Sequence, residues 1–180
     1  MLDSYEVVGL GEVGLDSTKG DPELQQRTLD EALTLLKARP HLLLVLHCRP
    51  GPRENITSAY YELFYRSEGL LSPEQRIHLH CFNGSLKEVS LWLGYLPNTY
   101  FGYSLMVRDF PENSKMALMR IDGGRLLLES DAPYFPAAGE ELSSPSFIGV
   151  TAQEVAKIRG CSWRDMLQQT AENAQQLYWG

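Results

Sequence analysis

The feature that most constrains the fold is a regular alternation of short apolar runs with helix-like stretches. Five apolar runs occur along the chain: YEVVGLGE, HLLLVLHC, RIHLHCF, TYFGYS and RLLLESD. Strands that alternate with helices predict βα units and a parallel sheet. The runs are nearly continuous in apolar residues, which is typical of strands that are covered on both faces. The sequence therefore predicts an α/β fold.

The stretches between the apolar runs carry signals for helix starts and ends. Short polar side chains stand where a helix is expected to begin, and two of them open a capping box of the form S/T-x-x-E. The predicted N-caps are Asp21, Ser85, Thr151 and Ser162. The predicted C-terminal stops are Gly94 and Gly160. Weaker patterns predict two more helices, over 53–67 and 109–120.

Length and composition indicate one ordinary globular domain. The chain has 180 residues, of which 43% are hydrophobic and 22% charged, so we expect residues 1–180 to form a single domain. No apolar run approaches the length of a membrane span, and the N-terminus lacks the layout of a signal peptide. We expect an intracellular protein of the nucleus or cytoplasm, without an obligate protein partner, whose Cys48, Cys81 and Cys161 are reduced thiols.

The net charge of −7 and the isoelectric point near 5.1 argue against nucleic-acid binding through a broad basic surface. They do not argue against a nuclease whose positive charge comes from bound metal ions. Carboxylate ligands of such ions themselves raise the acidic count. The charge balance therefore leaves a metal-dependent nuclease open.

Polar side chains stand at the C-terminal ends of the apolar runs, and Ser104 ends the fourth run. In (β/α)8 barrels the active site is built at this end of several strands at once. Two carboxylates and two imidazoles at one mouth suit a divalent cation that acts as a Lewis acid and activates water. Arg49 would project from the same rim and could hold a phosphate. The candidate metal ligands are Glu12, His47, His80 and Asp131.

Each of these residues also has a structural explanation when it is taken alone. A single histidine at a strand end is more often a hydrogen-bonded structural residue than a ligand, which applies to His47 and to His80. Glu12 could be a satisfied structural carboxylate. Asp131 precedes Ala-Pro and could form a turn, and Arg49 precedes Pro-Gly and could belong to a loop. The metal site is indicated by the combination.

Two further histidines are expected to lie outside the site. His78 faces the same side of its strand as His80, but two residues deeper, so we expect a neutral, hydrogen-bonded structural imidazole. His41 stands at the start of its apolar run, at the opposite end from the predicted site. We expect it to have no functional role.

Six motifs in order resemble the TatD family of metal-dependent deoxyribonucleases, which belong to the amidohydrolase superfamily and have a TIM-type barrel. The motifs are GEVGLD, LLVLHCR, HCFNGS, YFGYS, LLLESDAPYF and TAENAQQLY. The resemblance runs from about Tyr5 to the C-terminus. It implies hydrolysis of DNA phosphodiester bonds, 3′-5′ exonuclease action and a requirement for divalent cations. Mg²⁺ is the expected ion, with Zn²⁺ and Mn²⁺ as alternatives, and RNA is the alternative substrate.

The resemblance also implies a role for each candidate residue. Glu12 would bridge two cations, and His47 and His80 would be imidazole ligands. Asp131 would bind metal and accept the proton of the attacking water, which makes Glu12 and Asp131 the expected catalytic residues. The expected substrate-binding residues are Arg49, Asn83, Ser85 and Tyr134.

One departure from the family is large. The family carries an H-x-H motif on its first strand, well before the glutamate motif, whereas here the glutamate is residue 12. A TIM barrel takes about 250 residues, so we expect the C-terminal two-thirds of such a barrel, an incomplete barrel of about five parallel βα units. Such an arc has two exposed edges and an unfilled interior. Four remaining ligands could hold one cation, where the full-length family holds two.

Two other functions stay open at this point. The missing H-x-H motif would fit an inactive truncated form or paralogue that acts as a non-catalytic binding protein, although four intact ligands argue against long-standing loss of function. A small-molecule amidohydrolase ranks third. Such enzymes usually need a lysine or further histidines at mid-barrel strand ends, and the corresponding apolar runs contain no lysine.

Overall fold

A computed structural model describes Ser4 and residues 6–180 and contains one sheet of five parallel strands. The strands pair in chain order, so each strand lies beside the next one along the sequence. Their bounds are β1 Gly9–Asp16, β2 Leu43–Arg49, β3 Ile77–Leu79, β4 Thr99–Tyr103 and β5 Leu126–Leu128. The predicted α/β class with five parallel strands is confirmed. Tyr5, in the first predicted run, lies outside the described residues.

A helix follows each of the first four strands, and two helices follow the fifth. The helices are α1 Pro22–Lys37, α2 Ile56–Glu68, α3 Leu86–Tyr95, α4 Glu112–Arg120, α5 Ile148–Arg159 and α6 Trp163–Trp179. This alternation confirms the predicted βα units, including the two weaker helices. Within the described part of the chain, no helix is both long enough and apolar enough to cross a membrane.

Most predicted helix ends are confirmed. The side chains of Asp21, Ser85 and Ser162 each accept a hydrogen bond from a backbone N–H in the first turn of α1, α3 and α6. Ser85 and Glu88 form the complete capping box. Gly160 ends α5 in the left-handed conformation, which favours glycine.

Two predicted helix ends are wrong. Helix α5 begins at Ile148, so Thr151 lies inside it, is fully buried, and donates its hydroxyl hydrogen bond to the carbonyl oxygen of Glu129. The local T-x-x-E pattern therefore does not mark this helix start. Gly94 does not stop α3, which continues to Tyr95. A glycine inside a helix lowers the stability of the helix but does not have to end it.

The main core lies between the sheet and the helices. Alternate strand residues such as Leu46, Leu79 and Phe101 point to this side and are fully buried. They pack against apolar residues of the helices, among them Leu33 and Trp92. This layer holds the strands in place, so the residues at their carboxyl ends have fixed positions.

The other face of the sheet is covered by the end of helix α6. Leu43, Tyr100 and Leu127 form a second buried cluster with Leu177, and Tyr178 packs against it. The expectation of an unfilled interior is therefore wrong for this part of the inner face, because the C-terminal helix supplies the missing apolar contacts. Among the described residues no ladder joins β5 to β1, so the sheet is an open arc with two edge strands.

Candidate metal centre

Glu12 lies at an irregularity in strand β1. The register between β1 and β2 shifts between Leu10 and Val13, and the strand continues to Asp16. Glu12 therefore stands in the middle of its strand, and the expectation that it ends the strand is wrong. Because a bulge changes the direction of a side chain, the Glu12 carboxylate reaches the neighbouring strand, where its Oε1 lies 2.7 Å from Nδ1 of His47.

The two predicted histidine ligands lie on adjacent elements and face the same carboxylate. His47 is near the end of β2, and His80 directly follows β3. The Nε2 atom of His80 lies 3.3 Å from Oε2 of Glu12, and the two imidazole rings are 6.1 Å apart between centroids. The carboxylate of Glu12 thus lies between the two imidazoles.

Asp131 completes the group from the far side of the sheet. It follows β5 by three residues, and its backbone has a φ of 48°, which turns the chain sharply at this point. Its Oδ1 lies 3.1 Å from Nε2 of His80. The structure therefore brings together all four residues that the sequence pattern indicates as metal ligands.

These donors fit a divalent cation. One ligand atom each from Glu12, His47 and His80 lies within 4.8 Å of the others, and His80, Cys81 and Asp131 form an overlapping group of the same kind. The Nδ1 atom of His47 is buried, yet it forms no aligned hydrogen bond with any group that the structure describes. Imidazole and carboxylate donors together suit zinc, and carboxylate oxygens also suit magnesium and manganese.

The carboxylates and imidazoles of the site shift one another's pKa values. His47 lowers the pKa of Glu12, against the effect of burial, and His80 adds to the lowering. Burial alone would lower the pKa of His80, but hydrogen bonds to Asp131 and Glu129 outweigh it, so the pKa of His80 is raised. Glu12 is therefore ionised at neutral pH, and without a cation His80 holds a proton.

Glu129 is a site residue that the sequence analysis missed. Its side chain is 10% exposed, and its Oε1 lies 2.6 Å from Nδ1 of His80. Burial would raise the pKa of Glu129, but the neighbouring His78 and His80 lower it overall, so the carboxylate is ionised. A signal was present in the sequence, because Glu129 directly follows a run of three leucines and stands two residues before Asp131.

A cavity of about 330 Å³ opens over the four candidate ligands. Arg49 and Tyr134, two predicted substrate-binding residues, line it. An Arg49 guanidinium nitrogen lies 3.7 Å from Oδ2 of Asp16, and the Lys19 ammonium lies 5.7 Å from the centre of the Tyr134 ring. Three cavity residues were not predicted from the sequence, namely Asp16, Lys19 and Gln25, which lie at the end of β1 and in the turn and helix that follow.

The structure does not bring Asn83 and Ser85 to this cavity. The Tyr60 hydroxyl donates a hydrogen bond to Oδ1 of Asn83, at 3.1 Å, and Ser85 caps helix α3. Both side chains therefore have structural partners away from the four candidate ligands. Their contacts with substrate stay predictions.

The other two histidines lie where the sequence pattern places them. His78 is buried in β3, and its Nδ1 lies 2.9 Å from the hydroxyl of Tyr178. His41 is exposed and precedes β2, at the end of the sheet opposite to the cavity. The three cysteines are free thiols, and of these Cys48 and Cys81 are buried.

Comparison with known proteins gives relatives that match nearly the whole chain. The human 3'-5' RNA nuclease TATDN2 is 29% identical, over 96% of this chain and 23% of that protein. The 3'-5' ssDNA/RNA exonuclease TatD of Erwinia tasmaniensis is 28% identical, over 99% of this chain and 68% of that protein. The crystal structure of YJJV, a TatD homolog from Escherichia coli, matches with a TM-score of 0.75 at 26% identity.

The length of the match differs between these proteins. The chain covers 64% of the YJJV chain and under a quarter of the human protein, as the 23% coverage shows. The sequence model of one family, described as TatD related DNase, matches residues 1–179. Because that match extends over all but the last residue, this chain belongs to the TatD related DNase family.

Proposed function

We propose that this chain hydrolyses phosphodiester bonds of DNA in a cation-dependent reaction that removes nucleotides from the 3′ end. The observation that carries the proposal is the convergence of two carboxylates and two imidazoles on one cavity that also contains Arg49. The names of two relatives support it, since they are called 3'-5' nucleases. Both names include RNA, so RNA is the second substrate to test.

The cation would be held by four residues that line the cavity, namely Glu12, His47, His80 and Asp131. Magnesium is the ion we propose, with manganese and zinc as alternatives. When bound, such an ion stabilises the charge of the phosphate and lowers the pKa of a water molecule. The carboxylates are the oxygen donors that magnesium prefers.

The remaining roles belong to side chains whose positions favour them. Asp131 reaches the base of the cavity from the turn after β5, where its carboxylate can accept the proton of the attacking water. Arg49 offers a guanidinium group for the phosphate that is cleaved or for its neighbour. Tyr134 is 52% exposed at the rim, and its ring offers a face for a nucleotide base.

The experiment is cleavage of a single-stranded DNA oligonucleotide, and of the matching RNA, by the 180-residue chain with magnesium. One substrate carries a label at its 5′ end, and a second substrate has its 3′ end blocked by phosphorothioate linkages. The variant Glu12→Gln removes a charge from the site. The matched control Glu68→Gln makes the same change at an exposed position at the end of α2.

We expect a ladder of products that shorten from the 3′ end, only with the cation and only with an unblocked end. Loss of an essential carboxylate should reduce the rate by about 100-fold or more, whereas Glu68→Gln should match the unchanged protein. Equal cleavage by the unchanged chain and Glu12→Gln, at the level of a blank, would contradict the proposal for this chain.

A further inference from the structure

A line of buried and partly buried polar side chains runs from the C-terminal helix to the candidate metal centre. It consists of Tyr178, His78, Glu129 and His80, and none of the first three is among the predicted ligands. We propose that Glu129 is a positioning residue, held by His78 and Tyr178, that fixes which nitrogen of His80 faces the cation. This inference rests on the proposed metal site and adds the residues that orient one of its ligands.

Glu129 is placed between two imidazoles and a backbone N–H. Its Oε1 lies 2.6 Å from Nδ1 of His80 and 2.8 Å from Nε2 of His78. Its Oε2 accepts a hydrogen bond of 2.8 Å from the backbone N–H of Cys81. Both carboxylate oxygens therefore have partners, and the side chain is held from three directions.

These contacts assign the protons on the two rings. A carboxylate oxygen that lies this close to a ring nitrogen accepts a hydrogen bond from it. Nε2 of His80 is the nitrogen that faces Glu12 and Asp131, so a cation held there takes the place of any proton on Nε2, and the proton that the ligand ring keeps stands on Nδ1, toward Glu129. We place the proton of His78 on Nε2, because this atom lies 2.8 Å from Oε1 of Glu129, although the angle between them is not that of a hydrogen bond.

The proton position on His78 determines the direction of its hydrogen bond with Tyr178. With the proton on Nε2, the Nδ1 atom of His78 is an acceptor, and the Tyr178 hydroxyl at 2.9 Å donates to it. Residues 78 and 178 are 100 positions apart in the sequence. The end of α6 is held there independently, because the Arg76 guanidinium donates to the carbonyl oxygens of Leu177 and Gly180 at 2.8 and 2.9 Å.

Strand β4 leaves the space that this arrangement needs. A Cβ atom at Gly102 would overlap the Glu129 carboxylate and Nε2 of His78. A residue with a side chain at this position would therefore displace one of the two groups. The glycine allows a carboxylate and two imidazoles to share a site in which Glu129 and His78 are about nine-tenths buried.

Carboxylates that accept a hydrogen bond from a ligating histidine orient its ring and raise its basicity. His78 and Tyr178 are not aimed at the cavity, and neither lines it. Their effect on a cation must therefore pass through Glu129 and His80. This predicts that a hydroxyl group on the last helix influences the affinity of the site for a cation.

The test is titration of the 180-residue chain with Co²⁺ by calorimetry, together with the visible absorption of the bound ion. The variants are Glu129→Gln and Tyr178→Phe, which keep the side-chain shape and change only the polar groups. The control is Tyr103→Phe, which removes a buried hydroxyl that has no hydrogen-bond partner among the described residues. It lies on the helix side of the sheet, away from the line.

We expect Glu129→Gln to weaken Co²⁺ binding by about 10- to 100-fold. Tyr178→Phe should weaken it by about two- to ten-fold, as expected for the loss of one neutral hydrogen bond. Tyr103→Phe should bind like the unchanged chain. The absorption spectrum of bound Co²⁺ should change shape in Glu129→Gln, because the ligand ring is no longer held in one orientation.

A nuclear magnetic resonance measurement gives a readout that a merely structural role would not change. With Zn²⁺ added to the ¹⁵N-labelled chain, we expect a slowly exchanging imidazole N–H proton on Nδ1 of His80. This signal should be lost or broadened in Glu129→Gln while the backbone spectrum keeps its dispersion. A signal that is unchanged in the variant would overturn the assignment.

The outcomes separate this inference from the proposed function. If the unchanged chain binds no cation, the metal site itself fails and the inference fails with it. If the unchanged chain binds Co²⁺ and both variants bind equally well, only the positioning role is overturned. Binding of two cations, one of them lost in His78→Phe, would also overturn it, because His78 and Glu129 would then be ligands.

Discussion

The Nε2 atom of His80 lies 3.1 Å from Oδ1 of Asp131, although the two residues are 51 positions apart in the sequence. The contact joins the end of β3 to the turn after β5. Strand β4 lies between them in the sheet, so the two side chains meet above it. One imidazole therefore faces carboxylates from both sides of the arc, since Glu12 lies 3.3 Å away.

Because His80 contacts both carboxylates, its removal should affect the site more than any surface change. We expect His80→Ala to weaken Mn²⁺ binding by about 100-fold or more, because loss of a residue that only orients a ligand already costs about 10- to 100-fold. The matched control His41→Ala removes the exposed histidine before β2 and should leave affinity unchanged. Calorimetric titration measures both. Equal affinities for the two variants would show that His80 is not a ligand.

Arg49 should act on the nucleic acid and not on the cation. Its guanidinium lines the cavity and is about one-third exposed. We expect Arg49→Ala to raise KM for an oligonucleotide. It should also reduce the slope of log binding constant against log salt concentration by about one, as expected for the loss of one phosphate contact. Arg53→Ala, at an exposed position in the loop before α2, serves as the control. A loss of cation affinity in Arg49→Ala would contradict this role.

The raised pKa of His80 predicts how cation binding depends on pH. In the absence of a cation His80 holds a proton at neutral pH, whereas the pKa of Glu12 is lowered and its carboxylate is already ionised. A cation must therefore displace about one proton, and its apparent affinity should rise with pH. Titrations in two buffers of different ionisation enthalpy measure the proton release. A cation affinity that falls as pH rises would contradict this prediction.

The cysteines should differ sharply in reactivity. Burial raises the pKa of Cys48 and of Cys81 to about 12, so neither forms a thiolate at mildly alkaline pH. Cys161 is exposed at the start of the segment before α6. We expect iodoacetamide to modify Cys161 alone in the native chain and all three thiols in concentrated urea. Mass spectrometry identifies the sites, and native labelling of Cys48 would show that its surroundings are open.

The sequence pattern predicts the order and class of the elements because the alternation of apolar runs with capped helices is a local signal. Local patterns fail where tertiary contacts decide. Thr151 resembles an N-cap but lies inside α5, because the preceding residues already pack as helix. The cover that α6 gives to Leu43 and Tyr100 could not be predicted, since it depends on how the last helix crosses the sheet.

The candidate ligands could be predicted because the carboxyl ends of parallel strands meet at one edge. Gly11 is a sequence sign of the bulge, but it does not show that the bulge directs Glu12 at His47. Glu129 was missed because a single carboxylate directly after an apolar strand resembles any structural carboxylate. Its role depends on the two imidazoles of His78 and His80, which only the folded chain brings together.

The most direct test is a crystal of the chain soaked in Mn²⁺ and measured for anomalous scattering. We expect an anomalous peak between the side chains of Glu12, His47, His80 and Asp131, at distances typical of ligands. The matched crystal of His80→Ala should lack that peak or show it much weakened. A crystal saturated with Mn²⁺ that shows no peak at these residues, or a peak only elsewhere, would show that the proposed metal site is wrong.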